Sequence, residues 1–173
     1  ACLAVLWLAC GQLALAGAAP AAQTSLATRA TAAWFAGHLD ESLALAQVCA
    51  STCTETGAAD QSALLAATID ALFARFDAAR ERLLPLTGDG HAMSVRVVAH
   101  AQLADLALAM ARHDEATARI VAGQRLASSL PASHEARLAI DTVEAGVLRD
   151  RGATARARER YGALAAQLPA ADS

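Results

Sequence analysis

The four cysteines are the side chains best suited to redox or metal chemistry. Cys49 and Cys53 stand four residues apart and would share one face of a helix, with Cys2 and Cys10 nearby if the first helix packs against them. Two to four thiolates could ligate zinc or, in an exported protein, form a disulfide. The spacing within an apolar helical pattern suits packing better, since a free cysteine behaves as a small buried hydrophobe. We therefore predict that Cys49 and Cys53 are reduced, buried and unmetallated.

The five histidines are the next candidates, because imidazole titrates near neutral pH and binds metals. His38 and His113 occur in equivalent turns beside acidic residues, where a carboxylate could raise the affinity of the ring for protons. A pH or metal sensor would use such residues. A polar turn residue is the favoured interpretation, because the turn between them carries Arg75 instead. We expect the function to tolerate loss of every histidine, namely His38, His91, His100, His113 and His134.

Arginines cluster near the C-terminus and could receive an acidic segment or a phosphate of a partner. The cluster comprises Arg149, Arg151, Arg156, Arg158 and Arg160, with Asp150 and Glu159 interleaved. The interleaved acids favour a solvated helix face, and a partner site is the alternative. Trp34 and Phe35 present a similar choice, since aromatic residues anchor many interfaces. Core packing is favoured for Trp34, because the repeat pattern buries a large side chain there.

The chain lacks the motifs of the common enzyme classes. It has no GxxxxGK[ST] phosphate loop, HExxH metal motif, GxSxG nucleophile elbow or spaced CxxC pairs. The glycine pattern at 88–90 is too short to bind phosphate and predicts a polar turn. The formal net charge of −3 gives no general reason to bind nucleic acid or an anionic membrane. We therefore expect no catalytic, cofactor-binding or metal-binding residues; a small enzyme that uses the histidines and carboxylates is the alternative.

The elements that must position these residues are helices arranged in a repeat. A hydrophobic content of 55%, rich in Ala and Leu, favours helix over strand. A turn between consecutive helices recurs with Asp40, Asp77 and Asp114 spaced 37 residues apart, and a looser fourth copy lies at 151–155. A fixed period of this size is the signature of a helical repeat array.

The apolar periodicity predicts about nine antiparallel helices and no strands. Their approximate ranges are 2–17, 24–36, 40–56, 60–75, 77–85, 91–111, 114–130 and 133–151, with a last helix ending near 167 and a tail at 169–173 that frays. Asp40 and Ser133 are predicted N-caps. Gly37 is a predicted left-handed cap, and Gly57 and Gly152 are predicted helix ends.

Residues 1–20 allow two interpretations. The apolar run from Cys2 to Ala16, followed by small residues, is typical of a truncated signal peptide without its basic start, and it is too short for a confident membrane span. A buried repeat helix is favoured, because one 37-residue period before 40–56 falls on 3–19, with Pro20 in the expected loop. The chain would then be a fragment of a longer protein.

Several segments resemble tetratricopeptide repeats, particularly the longer, degenerate kind found in bacterial signalling ATPases and transcriptional regulators. They are Ala-Trp-Phe-Ala-Gly at 33–37, Asp-Glu-Ser-Leu-Ala-Leu-Ala at 40–46, Asp-Glu-Ala at 114–116 and Ala-Arg-Glu-Arg-Tyr-Gly at 157–162. These are packing and turn positions, so they indicate architecture and not specificity. The resemblance implies a single tetratricopeptide-like α-solenoid domain over 1–173. In such ATPases this region is a C-terminal sensor or docking surface.

We therefore predict a non-catalytic protein-interaction or regulatory module. A protein or peptide partner would bind in the concave groove lined by the first helix of each repeat. The candidate partner-binding residues are Arg96, Asp105, Arg149 and Arg156. The whole protein would be a cytoplasmic signalling ATPase or transcriptional regulator of bacteria. The alternative is an exported envelope repeat protein, periplasmic or secreted, that acts as an assembly or sensor subunit.

Overall fold

The computed structural model describes residues 25–167, which form eight α-helices joined by short connections. The helices are α1 (Leu26–Phe35), α2 (Leu39–Thr52), α3 (Thr56–Leu72), α4 (Phe76–Leu83), α5 (Met93–Ala109), α6 (His113–Ala127), α7 (Glu135–Asp150) and α8 (Thr154–Ala165), with a 3-10 turn at Pro85–Thr87. Residues 25–167 contain no strand, so the all-α prediction is confirmed for them. The predicted first helix, both interpretations of 1–20 and the tail at 169–173 lie outside the described residues.

The turn that the sequence predicts to recur has the same backbone structure in each of its four copies. Gly37, Ala74, Ala111 and Gly152 have φ values of 79°, 57°, 57° and 78°. The next N–H group in each turn, from His38, Arg75, Arg112 and Ala153, donates to the carbonyl of Ala33, Asp70, Ala107 and Leu148, at 2.9, 2.8, 2.7 and 2.9 Å. This pairing around a left-handed residue is the Schellman motif, which satisfies the last carbonyls of one helix while reversing the chain. The predicted left-handed cap at Gly37 and helix end at Gly152 are confirmed.

Small buried residues flank every one of these turns at fixed distances. Seven residues before the left-handed residue lie Ala30, Ala67, Ala104 and Ala145, and five residues after it lie Ser42, Ala79, Ala116 and Ala157, all of them buried. The two positions meet in the first hairpin, where the hydroxyl of Ser42 donates to the carbonyl of Ala30 at 2.8 Å. Small side chains allow the two helices of a hairpin to approach closely. The period thus encodes helix contacts as well as turns.

The core consists of three consecutive sections. Helices α1, α2 and α3 share the first section, α3, α4 and α5 the second, and α5, α6 and α7 the third. Besides its neighbours in the chain, each odd-numbered helix contacts the next odd-numbered one, from α1 through α3 and α5 to α7. Helix α5 belongs to two sections, and most of its residues between Val97 and Ala107 are buried.

Helices α5, α6 and α7 approach most closely at Gly123 of α6. A Cβ atom at this residue would lie 2.8 Å from Cδ1 of Ile140 and 3.1 Å from Cβ of His100. Those distances are shorter than van der Waals contact, so a methyl group here would force Ile140 or His100 to shift. The close approach of the three helices therefore uses a glycine inside a helix, where glycine would otherwise be unfavourable.

The predicted boundary between the second and third helices is wrong. Helix α2 ends at Thr52, and α3 begins at Thr56, so Gly57 lies in the first turn of α3 instead of ending α2. Asp40 is also not an N-cap, because the Schellman turn makes His38 the residue before the helix and places Asp40 in the first turn. There its carboxylate faces the positive end of the helix dipole. Likewise, His134 replaces the predicted Ser133 as the cap of α7, its Nδ1 accepting from the N–H of Ala136 at 3.2 Å.

A disulfide joins Cys49 and Cys53, so the prediction that both thiols are reduced is wrong. The prediction assumed that both residues lie within a continuous helix. Cys53 instead follows the last residue of α2 and has an extended backbone, with ψ of 127°. The two Cα atoms lie 4.9 Å apart, within the range that a disulfide spans. Cys49 is buried, as predicted, and its Sγ lies 3.8 Å from the carbonyl oxygen of Ala58 in the first turn of α3.

Candidate interaction surface

The four predicted partner-binding residues lie in two separate regions. Asp105 is near the C-terminal end of α5, close enough to Arg149 in the last turn of α7 for the two charges to interact, and Arg156 follows in the first turn of α8. Arg96 lies nine residues before Asp105 on α5, which corresponds to about 13 Å along the helix axis. The structure therefore brings Asp105 and Arg149 together and separates both from Arg96.

Arg96 is held by the loop that precedes its helix. Its Nη2 lies 2.6 Å from Oδ1 of Asp89, and its side chain is only 20% exposed. Asp89 is 95% exposed, so the ion pair lies at the protein surface. The ion pair and the low exposure leave little of the Arg96 side chain accessible to a partner.

Asp105 is the carboxylate whose surroundings are least compatible with charge. Burial raises the pKa of Asp105 to about 6, and the nearby Asp150 adds to the rise while Arg149 opposes it. Within residues 25–167, its carboxylate has no hydrogen bond or ion pair. The charged form of Asp105 is thus disfavoured by burial, and the charge of Arg149 offsets only part of that cost.

The arginines of the C-terminal cluster are divided among local acceptors. Arg149 donates from Nε and Nη2 to Oδ1 of Asp150, at 3.0 and 2.9 Å. Arg160 lies 3.0 Å from Asp141 and 2.8 Å from Glu144, and Arg151 donates to the hydroxyl of Thr117 at 2.9 Å. These contacts favour a solvated, charge-balanced face over a basic patch. Arg156 and Arg158 are exposed on α8.

Apolar residues occupy the ends of α1, α3 and α5, one to three positions before the left-handed residue. We call this set the apolar edge: Trp34, Phe35, Leu72, Phe73, Leu108 and Met110. Phe35 is 51% exposed and Phe73 is 42% exposed, whereas the others are half-buried. Trp34 packs partly against the first core section, as the core interpretation predicts. At the corresponding positions of α7 the residues are charged: Arg149, Asp150 and Arg151.

Two histidine environments could not be predicted from sequence spacing. Nδ1 of His91 lies 3.0 Å from Oδ1 of the buried Asp60, which ties the loop before α5 to α3 across 31 residues of sequence. His100 is buried between α5 and α6, and burial, followed by the charges of Arg119 and Arg96, lowers its pKa. Its Nδ1 has no hydrogen-bond partner in the described part of the chain.

The other histidines match the polar-turn interpretation. His38 is exposed and lies 3.6 Å from Glu41, and His113 is exposed at the start of α6. Among residues 25–167, no group of three or more His, Cys, Asp or Glu side chains is arranged to hold a metal ion. The histidines therefore do not converge on a common centre in this range.

An ion network around a buried carboxylate at the second turn could also not be predicted from the sequence. Asp70 is almost fully buried, and its carboxylate oxygens lie 3.0 Å from Nε of Arg75 and 2.8 Å from Nε of Arg82. Arg75 also covers the ring of Phe73 at 4.8 Å. The network joins the end of α3 to α4, so these arginines stabilise the hairpin beside the apolar edge.

No family model, curated protein or solved structure matches this chain. None of the helices in residues 25–167 is both long and apolar enough to cross a membrane.

Proposed function

We propose that the chain is a tetratricopeptide-like α-solenoid whose function is to bind a protein or peptide partner. The observation that carries the proposal is the combination of four equivalent Schellman turns with serial contacts among α1, α3, α5 and α7. Stacked helical hairpins bury a continuous core and leave one face of their first helices as an extended binding surface. The serial core sections and the small residues at each hairpin contact support the same architecture.

The binding surface would be the groove lined by α1, α3, α5 and α7, with the apolar edge along one rim. Exposed aromatic side chains are frequent interface anchors, and Phe35 and Phe73 supply them here. The proposal assigns no catalytic role to the chain. By the resemblance stated above, the module would be the sensor or docking region of a bacterial signalling ATPase or transcriptional regulator.

The disulfide favours a second candidate. Disulfides persist in oxidising compartments and are uncommon in the cytosol, where thiol systems keep cysteines reduced. A bond between Cys49 and Cys53 therefore supports an exported envelope repeat protein that acts as an assembly or sensor subunit. Thiol alkylation in intact cells, before lysis, distinguishes the two. Alkylated Cys49 and Cys53 would favour the cytoplasmic regulator, and a bond that resists alkylation until reduction would favour export.

Affinity capture with matched surface variants tests the binding function itself. The immobilised chain is exposed to an extract of the organism that encodes it, and retained proteins are identified by mass spectrometry. Phe35→Ser removes an exposed apolar side chain from α1, and Val48→Ser removes one of similar exposure, 48%, from α2. A partner that is lost with Phe35→Ser and retained with Val48→Ser supports groove binding.

Replacement of all five histidines by Gln tests whether partner binding depends on the histidine side chains. We expect partner affinity to change by less than about tenfold, or about 1.4 kcal/mol. Loss of binding or of a measured activity from one histidine substitution, with the fold intact, would favour an enzyme or a metal sensor. Retention of every partner by Phe35→Ser would contradict binding at the apolar edge.

A further inference from the structure

The connection between α2 and α3 carries two sets of boundary signals. The apolar pattern predicts that α2 continues to residue 56 and ends at Gly57, whereas the structure ends it at Thr52. The connecting residues 53–55 include no proline, which would oblige the helix to stop. The local sequence is therefore compatible with a longer α2, and another constraint must set the observed end.

The disulfide supplies that constraint. In an α-helix, Cβ atoms four residues apart are separated by about 5–6 Å, whereas a disulfide requires about 3.5–4.5 Å. The rise and radius of a helix would place the two Cα atoms about 6.2 Å apart. Those of Cys49 and Cys53 are 4.9 Å apart, and Cys53 has left the helical conformation. The bond is therefore incompatible with a regular helix through Cys53.

The two cysteines differ in their accessibility. Cys49 is fully buried, while Cys53 is half-buried and the two residues after it, Thr54 and Glu55, are exposed. An external thiolate therefore reaches Sγ of Cys53 first. Its attack forms a mixed disulfide at Cys53 and releases Cys49 as a thiolate, which takes up a proton. The second thiol of a dithiol reductant then displaces Cys53, so two electrons and two protons reach the protein and the reductant leaves as a cyclic disulfide.

Gly57 is suited to either boundary. In the structure it lies in the first turn of α3, where an added Cβ would have nothing within 4 Å. Glycine also readily adopts the left-handed conformation that follows the end of a helix, as Gly37 and Gly152 do at φ of 79° and 78°. A residue with a Cβ would favour the first role over the second.

We propose that the disulfide is a redox switch that sets the boundary between α2 and α3, and that a dithiol reductant operates it. While the bond is present, α2 ends at Thr52, and the N–H of Ala59 donates to the carbonyl of Glu55 at 3.1 Å at the start of α3. When the bond is reduced, residues 53–55 join α2, the chain turns at Gly57, and the first turn of α3 opens. One short length of helix is exchanged for another, and the later hairpins stay in place.

Residue-specific amide hydrogen exchange, measured by NMR on the full chain with and without dithiothreitol, tests the switch. Among the described residues, the N–H groups of Thr54 and Glu55 have no backbone acceptor, whereas that of Ala59 has one. Reduction should slow exchange at Thr54 and Glu55 at least about tenfold and speed it at Ala59 by a similar factor, because helix hydrogen bonds form at the first two and break at the third. Circular dichroism should show little change in total helix. Any result without slowing at Thr54 and Glu55, or a large loss of helix, would overturn the proposal.

The chain has two further cysteines, Cys2 and Cys10, so two variants isolate the pair. The double variant Cys2→Ser, Cys10→Ser should respond to dithiothreitol as wild type does. Cys53→Ser should show the exchange pattern of the reduced protein with and without dithiothreitol. A response that persists in Cys53→Ser, or that is lost in the double variant, would assign the effect to other thiols and overturn the proposal.

Gly57→Ala tests the boundary itself without changing either sulfur. Alanine favours the helical position in α3 and disfavours a left-handed turn, so the variant should keep the oxidised boundary after reduction. In mixtures of reduced and oxidised dithiothreitol, its equilibrium constant for reduction should be about fivefold lower than that of wild type. Gly162→Ala, another open position within a helix, should change the constant less than about twofold. Equal constants for Gly57→Ala and wild type would show that reduction leaves the boundary in place and would overturn the proposal.

Discussion

The left-handed alanines at two of the four Schellman turns should limit stability. Ala74 and Ala111 both have φ of 57°, where an L-residue with a Cβ is disfavoured by about 1–2 kcal/mol. Glycine removes that cost but gives the unfolded chain more freedom, which offsets about 0.4–1 kcal/mol. We therefore expect Ala74→Gly and Ala111→Gly each to raise the free energy of unfolding by about 0.5–1 kcal/mol. The turns are separate, so the double variant should gain about 1–2 kcal/mol.

Urea unfolding followed by circular dichroism measures the effect, with an unchanged denaturant slope as the sign that only stability has changed. Ala118 lies exposed in the interior of α6, and Ala118→Gly should lower stability by about 1 kcal/mol, so it shows that the gain belongs to the turn and not to glycine itself. Gly37→Ala, at φ of 79°, should also lower it. A loss of stability in Ala111→Gly, or a gain in Gly37→Ala, would refute this reasoning.

Three further outcomes are expected. Gly123→Ala should lower the free energy of unfolding by about 1–3 kcal/mol, because the new Cβ would lie 2.8 Å from Ile140. Gly162→Ala should raise it by up to about 1 kcal/mol, because a Cβ there has nothing within 4 Å. Thermal melts of the two variants check this pair of outcomes. Asp105→Asn should stabilise the protein near pH 7 by up to about 3 kcal/mol, because burial raises the pKa of Asp105 from 3.8 to about 6 in the folded state. Urea titrations should show that this gain grows from about pH 4 to pH 6 and is absent below pH 4. Cys53→Ser should lower the free energy of unfolding by about 2 kcal/mol, the value that the chain-entropy relation gives for so short a loop. The difference from wild type should vanish when both proteins are measured in reductant. Peptide mass mapping without reductant should show Cys49 linked to Cys53.

Features set by nearby residues could be predicted from the sequence. The turn at Gly37 and its later copies depend on a few consecutive residues, so a 37-residue period in the sequence became a repeated backbone motif. The boundary between α2 and α3 differs from the prediction because the sequence pattern takes Gly57 as the end of α2. A glycine is also tolerated in the first turn of a helix, which is where Gly57 lies.

Features that depend on which helices meet could not be predicted in this way. Asp60 and His91 are 31 residues apart and contact only because the loop before α5 returns to α3. The raised pKa of Asp105 likewise depends on burial in the fold and on the end of α7. Periodicity identified Asp105 as a groove candidate, but its lack of a partner in residues 25–167 required coordinates. The separation of Arg96 from the other candidates has the same cause.

The division of the core into three sections implies an order of local opening. Helices α3 and α5 each contribute to two sections, whereas α1 and α2 contribute to one, and α8 makes its main contacts with α7. Amide protons of α3 and α5 should therefore exchange slowest, and those of the outer hairpins should exchange through partial openings that leave the centre folded. The apolar edge crosses the boundaries between these sections, since it runs over α1, α3 and α5. A ligand bound there would contact the first hairpin and the slowest-opening helices at the same time. It should therefore slow amide hydrogen exchange in the first hairpin.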